Sequence, residues 1–362
     1  MKTHRFVISG GGTGGHIYPA LAIADELKKR FPNAEFLFIG AKDRMEMQRV
    51  PEAGYKIKGL WISGLQRKLT LRNLIFPFKL IFSVFKSYLI LQRFKPTIAI
   101  GTGGFASGPL LLTASKLRIP YVLQEQNAFP GITNKWLASK AKMVFVAYTD
   151  MQRFFGNTPI KLTGNPVRSA LIDNAIAKKE ACHFFDLNPN NPIVVMLGGS
   201  LGSQRMNEWL AEYKTEFQTR NIQLIWQCGS RYINLYKAQT NDVIKVFDFI
   251  TKMNVLFACA DGFISRAGAG TISELSLIGK PILFIPSPNV AEDHQTKNAE
   301  AVVNHNAALM LKESEFKNDS LVKIELLIQH VKNVNSPIAI NLKNIAKPEA
   351  TKNIVNHISD LI

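Results

Sequence analysis

A glycine loop between a short apolar run and a helix-like segment constrains a fold more than any other local pattern, and this chain opens on one. Phe6-Val7-Ile8 leads to Gly10-Gly11-Gly12-Thr13-Gly14-Gly15-His16, and Ile17 to Lys29 follows with helical patterning. Strand, glycine loop and helix make up the unit of parallel α/β sheets, because the loop amides and the helix N-terminus point beyond the strand end and suit a phosphate or polar oxygen. Comparable junctions recur at Gly101-Thr102-Gly103-Gly104, Gly198-Gly199-Ser200 and Arg266-Ala267-Gly268-Ala269-Gly270-Thr271. One glycine pair is ordinarily a tight turn. Four loops divided between two halves predict a ligand in an inter-domain cleft, with a diphosphate on the helix starting near Gly270-Thr271 and Glu274 in its first turn.

The spacing of β-type runs supports two such halves. Runs at Arg5 to Ser9, Glu35 to Ile39, Thr97 to Ile100, Tyr121 to Leu123 and Met143 to Ala147 alternate with amphipathic helix-length segments. Ile193 to Leu197, Gln223 to Trp226, Val243 to Phe247, Gly262 to Ser265 and Pro281 to Ile285 repeat the pattern. The expected fold class is α/β, two Rossmann-like domains. The breaker Thr163-Gly164-Asn165-Pro166-Val167-Arg168 places the junction between domains 1–163 and 164–362. A last helix is expected from about Glu349 to Ile362, packing on its own half or crossing back.

GxGxxG within the first loop also fits a dinucleotide-binding dehydrogenase. That reading needs an acid at the end of the second strand to hold a ribose, where this chain has Ile39-Gly40-Ala41. His16, where loop meets helix, suits a general base toward an acceptor hydroxyl, or only caps the loop. Glu125, in Gln124-Glu125-Gln126-Asn127, is the rival base or a buried carboxylate supporting its loop. Residue types alone leave both pairs of alternatives open.

A net charge of +17 calls for an anionic partner. Eleven Lys and Arg, and no acid, lie between Glu52 and Glu125. Arg72, Lys79, Lys86 and Arg93 recur every seven residues among Ile75, Phe76, Phe78, Ile81, Phe82 and Phe85, with Pro77 a possible break after Arg72. Cations among exposed apolar side chains predict a segment lying on an anionic membrane surface, with Arg72, Ile75, Phe76, Lys79, Phe82 and Lys86 as contacts. A nucleic-acid partner fits less well, since no binding motif accompanies the cations; a packed helix with snorkelling Lys and Arg is the remaining alternative. The stretch from Leu69 to Phe94 is interrupted by charges and Pro77, so it is not expected to span a bilayer. Met1-Lys2-Thr3-His4 leads straight into Phe6-Val7-Ile8 and glycine, so no signal peptide is expected. Cys182, Cys228 and Cys259 have no ligand spacing and read as reduced core residues of a cytosolic protein.

The strings GGGTGGHIYPALAIA, GTGGFASGP, QEQNAFPGITNKW, LTGNPVR, GGSLGS, SRAGAGTISE and EDHQTKNA, in this order across almost the whole chain, closely resemble those of the MurG family. Those bacterial enzymes transfer N-acetylglucosamine from UDP-GlcNAc to the muramoyl pentapeptide on undecaprenyl diphosphate, converting lipid I to lipid II in peptidoglycan synthesis. The resemblance implies GT-B architecture, inversion at the anomeric carbon, no cofactor or required metal, and a peripheral position on the cytoplasmic face of the inner membrane. It further implies that Thr13, Gly14 and Gly15 face the donor sugar and acceptor diphosphate, with His16 beside the reacting centre. Asn127 and Gln295 would contact sugar, Arg168 and Ser200 the nucleotide and its diphosphate, and the backbone of Ile250 the uracil edge. Ala269, Gly270, Thr271, Ile272 and Ser273 would cradle the diphosphate, and Glu274 would accept from ribose hydroxyls. Leu201 stands where many relatives have Gln. A related UDP-sugar transferase acting on another membrane lipid and a non-catalytic anionic-lipid-binding protein are the alternatives.

Overall fold

Phe6 and Ile8 turn to one face of a sheet and Val7 to the other, and all three are fully buried, which requires packed layers on both sides. The computed structural model describes residues 3–64, 74–167, 176–199 and 201–362. In it β1 (Arg5–Ser9), β2 (Glu35–Ala41), β3 (Ile57–Leu60), β4 (Ile98–Gly101), β5 (Tyr121–Glu125), β6 (Met143–Val146) and β7 (Ile160–Leu162) form a seven-stranded sheet in the order β3-β2-β1-β4-β5-β6-β7. Every pairing in it is parallel. A second parallel sheet has the order β10-β9-β8-β11-β12-β13. Its strands are β8 (Ile193–Leu197), β9 (Gln223–Gln227), β10 (Ile244–Phe247), β11 (Gly262–Ser265), β12 (Ile282–Phe284) and β13 (Leu309–Met310). Two Rossmann-like sheets account for the fold class.

The chain divides into two compact units, Met1–Arg168 with Lys347–Ile362, and Ser169–Ala346. The first therefore takes in residues 164–168, placed in the second domain from sequence, and the closing segment, for which the sequence left packing on its own half or crossing back open. The closing helix, Ala350–Ser359, packs on the first helix, Gly14–Arg30. It buries Ile354, Val355 and Ile358 beside Ala20, Ala24 and Leu27. Each side chain so buried contributes about 1.5–3 kcal/mol, and Arg30 Nη1 donates to Asn356 Oδ1 at 2.8 Å over the same contact.

Both sheets reverse direction in the same way. In the first, the chain builds outward from β1 to β3, then crosses to β4 on the other side; in the second, β8 and β11 are the corresponding neighbours. Such a switch point opens a crevice at the carboxyl ends of its two strands. All four glycine loops follow these strands: Gly10–His16 after β1, Gly101–Gly104 after β4, Gly198–Gly202 after β8 and Arg266–Thr271 after β11.

Pro77 falls in the first turn of the helix Phe76–Phe94, where a missing N–H costs nothing, so it starts this helix and does not break it. Phe78, Ile81 and Phe85 are 69%, 68% and 59% exposed, and with Phe82 and Leu89 they form one outward apolar ridge at helical spacing. No helix among the described residues is long and apolar enough to cross a membrane.

Candidate active site

At the first switch point the loops after β1 and β4 interlock. Thr102 Oγ1 donates to the carbonyl of His16 at 2.7 Å. Gly104 has φ +81°, and a Cβ there would lie 2.2 Å from the Gly11 oxygen, so only glycine admits the approach. His16, in the first turn of its helix, is half-buried, with Nδ1 3.2 Å from both the Gly11 carbonyl and Thr13 Oγ1. A carbonyl only accepts, so Nδ1 carries the proton and Nε2 of the neutral ring carries the lone pair. The Nε2 side of the ring lies toward Gly103, whose missing Cβ would stand 3.1 Å from that nitrogen.

Glu125, by contrast, is fully engaged. It is buried at the end of β5. Oε1 accepts from Asn127 N at 3.0 Å and Asn127 Nδ2 at 3.2 Å, and Oε2 from Gly131 N at 3.1 Å and Asn134 Nδ2 at 2.8 Å. Burial pushes its carboxyl above the usual carboxylate range, while these donors pull the other way. The carboxylate shapes the loop 126–131 and holds Asn127. Gln126 Nε2 reaches the Thr102 carbonyl at 2.7 Å, and Asn165 Nδ2 the Gln126 carbonyl at 3.1 Å, joining the β4 and β5 ends to the Thr163–Arg168 breaker.

An acid does follow β2, beyond the strand end. Glu46 is completely buried, accepting from Ala41 N at 2.9 Å and from Gly12 N at 3.0 Å. Sequence reasoning missed it, although an acid soon after the second strand of a Rossmann-like unit was the available signal. Its carboxylate holds the glycine loop itself.

In the second unit, the helix Ala269–Ile278 starts at the end of the β11 loop, with Gly268 as its N-cap. Its opening amides at Gly270 and Thr271 belong to the turn whose N–H groups have no intrahelical acceptor. A Cβ on Gly270 would meet nothing within 4 Å. Glu274 is half-buried in the second turn, not the first as expected, because the helix begins at Ala269; it is too far along to serve as an N-terminal charge. Ser273 Oγ donates to the Ala269 carbonyl at 3.0 Å, and Ile272 packs in the core. Gln295 Oε1 accepts from Ser287 N at 2.9 Å, which orients its amide. Ile250 is buried, and its N–H donates to Gln227 Oε1 at 3.1 Å, while Gln227 Nε2 donates to the Gly199 carbonyl at 3.2 Å. Gln227, also missed from sequence, thus ties the loop after β8 to the segment after β10.

Arg72, Arg168 and Ser200 lie outside the described residues. Of the other expected membrane contacts, Ile75 and Phe82 are exposed, whereas Phe76 packs against the core. Lys79 Nζ donates to Ser63 Oγ at 3.2 Å and Lys86 Nζ to the Gly59 carbonyl at 2.7 Å. Both ammonium groups are thus engaged at the β3 edge; burial, then Lys42 and Lys58 nearby, pull the Lys86 pKa down. The three cysteines are buried and free, and burial is the main influence pushing the Cys259 thiol up to about 12.

Paired glycine loops at the switch points of two parallel sheets are the architecture of GT-B glycosyltransferases, and comparison with known proteins agrees. Residues 6–146 match the glycosyltransferase family 28 N-terminal domain and residues 193–358 the family 28 C-terminal domain. A Flavobacterium psychrophilum protein, "UDP-N-acetylglucosamine--N-acetylmuramyl-(pentapeptide) pyrophosphoryl-undecaprenol N-acetylglucosamine transferase", is 51% identical over 100% of this chain and 99% of its own. A protein of the same description from Christiangramia forsetii is 49% identical over 99% of this chain and 98% of its own. The crystal structure of Acinetobacter baumannii MurG superposes with a TM-score of 0.80 at 26% identity, covering 99% of this chain and 100% of that one. The chain belongs to the MurG family of glycosyltransferases.

Proposed function

We propose that the protein transfers N-acetylglucosamine from UDP-N-acetylglucosamine to the C4 hydroxyl of the muramoyl pentapeptide on undecaprenyl diphosphate, in one inverting displacement. The observation that carries this reading is the placement of all four glycine loops at the two switch points, with His16 in one loop and an opening helix in another. A displacement of this kind needs the acceptor hydroxyl relieved of its proton and the leaving diphosphate stabilised. His16 supplies the first through Nε2. Thr13, Gly14 and Gly15 line the approach of donor sugar and acceptor diphosphate. Helix-end amides from Ala269 to Thr271 supply the second, with Arg168 and Ser200 near the nucleotide. Ile250 reads uracil through its backbone, Glu274 accepts from ribose, and Asn127 and Gln295 hold sugar hydroxyls. Glu125 is the weaker base because four donors already occupy its oxygens.

The acceptor is lipid-borne, and the exposed ridge of the helix Phe76–Phe94 supports peripheral attachment at the cytoplasmic face of the inner membrane. Exposed Arg93 and Lys95 beside it favour anionic headgroups. The reading is tested by incubating the purified protein with UDP-GlcNAc and a short-chain prenyl-diphosphate muramoyl pentapeptide. Lipid-linked disaccharide with stoichiometric UDP supports it; vesicle binding without turnover contradicts it.

A further inference from the structure

The N–H of Gly12 and the C=O of Gly11 belong to one peptide group, and the two ends of that group meet different side chains. The N–H donates to Glu46 Oε2 at 3.0 Å, and the C=O lies 3.2 Å from His16 Nδ1. We propose that Glu46 is a positioning residue for His16, acting through this single peptide as a carboxylate acts directly on histidine in a catalytic dyad. The proposal rests on the reading of His16 as the base.

Three observations favour a relay over a simple loop clamp. First, the geometry is enforced on both sides of the peptide. A Cβ on Gly11 would stand 2.3 Å from Glu46 Oε1, one on Gly40 would stand 2.5 Å from Glu46 Cγ, and one on Gly104 would stand 2.2 Å from the Gly11 oxygen. Secondly, Glu46 is completely buried, with its other oxygen held by Ala41 N at 2.9 Å, so the carboxylate acts in a low-dielectric setting. Thirdly, an amide whose N–H is bonded to an anion offers a better carbonyl acceptor, a cooperative gain of roughly 10–30% per bond. The strengthened Gly11 carbonyl fixes Nδ1–H and makes Nε2 more basic, as the carboxylate partner of a triad histidine does.

Thr13 Oγ1 also stands 3.2 Å from Nδ1, and as a hydroxyl it accepts from the same N–H; other polar and charged groups belong to the elements around the ring. Glu125 is reached from the β5 side through Asn134, whose Nδ2 donates to it at 2.8 Å. Arg44 sits 5.8 Å from the centre of the Phe105 ring, whose edge covers Gly12. Tyr18, on the helix of His16, lies against Gly14. None of these shares the Gly11–Gly12 peptide.

The test is imidazole NMR on the ring-labelled full chain, with Glu46→Gln as the near-isosteric variant that removes the charge. In the wild-type protein the proton should sit on Nδ1. In the folded variant the His16 pKa should fall by about one unit, because the imidazolium loses a stabilising negative charge. The acid limb of kcat/KM should move to lower pH with it, and kcat should drop about tenfold with little change in either KM. A wild-type ring protonated on Nε2 overturns the proposal without any variant. A folded variant with unmoved pKa and pH limb overturns it too, leaving Glu46 as scaffold alone. Ring titration needs no substrate, so failure of the glycosyl-transfer reading would register separately, as absence of wild-type turnover.

Discussion

Arg266 and Glu313 form a largely buried ion pair at the carboxyl edge of the second sheet, Nη2 to Oε1 at 2.6 Å, with side chains 17% and 13% exposed. The same guanidinium donates to Ser203 Oγ at 2.5 Å and to the Ile285 carbonyl at 3.0 Å. The loops after β8, β11, β12 and β13 therefore meet on one side chain. Removing one partner of such a pair leaves an uncompensated buried charge, at about 3–5 kcal/mol. Arg266→Met and Glu313→Gln should each lower urea stability by that order, and the double variant by less than their sum. Additive losses would show that the pair is not coupled.

Gln227 links the Gly199 carbonyl to the Ile250 N–H, and so the segment proposed for the diphosphate to the one proposed for the base. Gln227→Leu leaves both backbone groups unpaired, each costing about 1–3 kcal/mol. Calorimetry should show UDP and UDP-GlcNAc binding weakened alike, by about tenfold or more. Unchanged UDP affinity in a folded variant would detach Gln227 from nucleotide binding.

Glu125 and His16 separate by pH and by kinetics. Burial raises the folded pKa of Glu125, so its contribution to stability is full below the unfolded carboxylate pKa and is lost as pH rises through the folded value. Glu125→Gln removes that titration, and the stability difference between wild type and variant should change in this direction from acid to neutral pH. His16→Ala should slow turnover by about 10²–10⁴-fold while donor affinity is kept. Wild-type turnover in that variant would eliminate His16 as base.

The ridge on the helix Phe76–Phe94 contributes little to the fold and is proposed to meet lipid. Phe78→Ser, Ile81→Ser and Phe85→Ser, all at exposed positions, should each change stability by no more than about 0.5 kcal/mol. Together they should reduce co-sedimentation with anionic vesicles by about tenfold or more. Undiminished sedimentation would move the membrane contact elsewhere.

The strands at and beside each switch point were legible as apolar runs because they are buried on both faces: Val7, Ile8, Ala99, Val194 and Ile264 are completely buried. β3, β7 and β13 were not anticipated. All three are edge strands, only two to four residues long and only partly buried, so the apolar signal is weak. Heptad spacing placed Lys79 and Lys86 on one stripe but could not tell that it turns toward Ser63 and Gly59. The glycine loops and His16 were readable because local chain geometry demands them. Gln227 and the partner of Arg266 act across sequence gaps of 23 and 47 residues. A single sequence does not encode such contacts in any local period.

The most direct measurement is the anomeric configuration of the product made from UDP-GlcNAc, whose sugar is α-linked to the diphosphate, and the prenyl-diphosphate muramoyl pentapeptide. A single displacement predicts a β-linked disaccharide at C4, read from the anomeric proton coupling, with one UDP released per bond formed. An α-linked product, or UDP release without disaccharide, would contradict it.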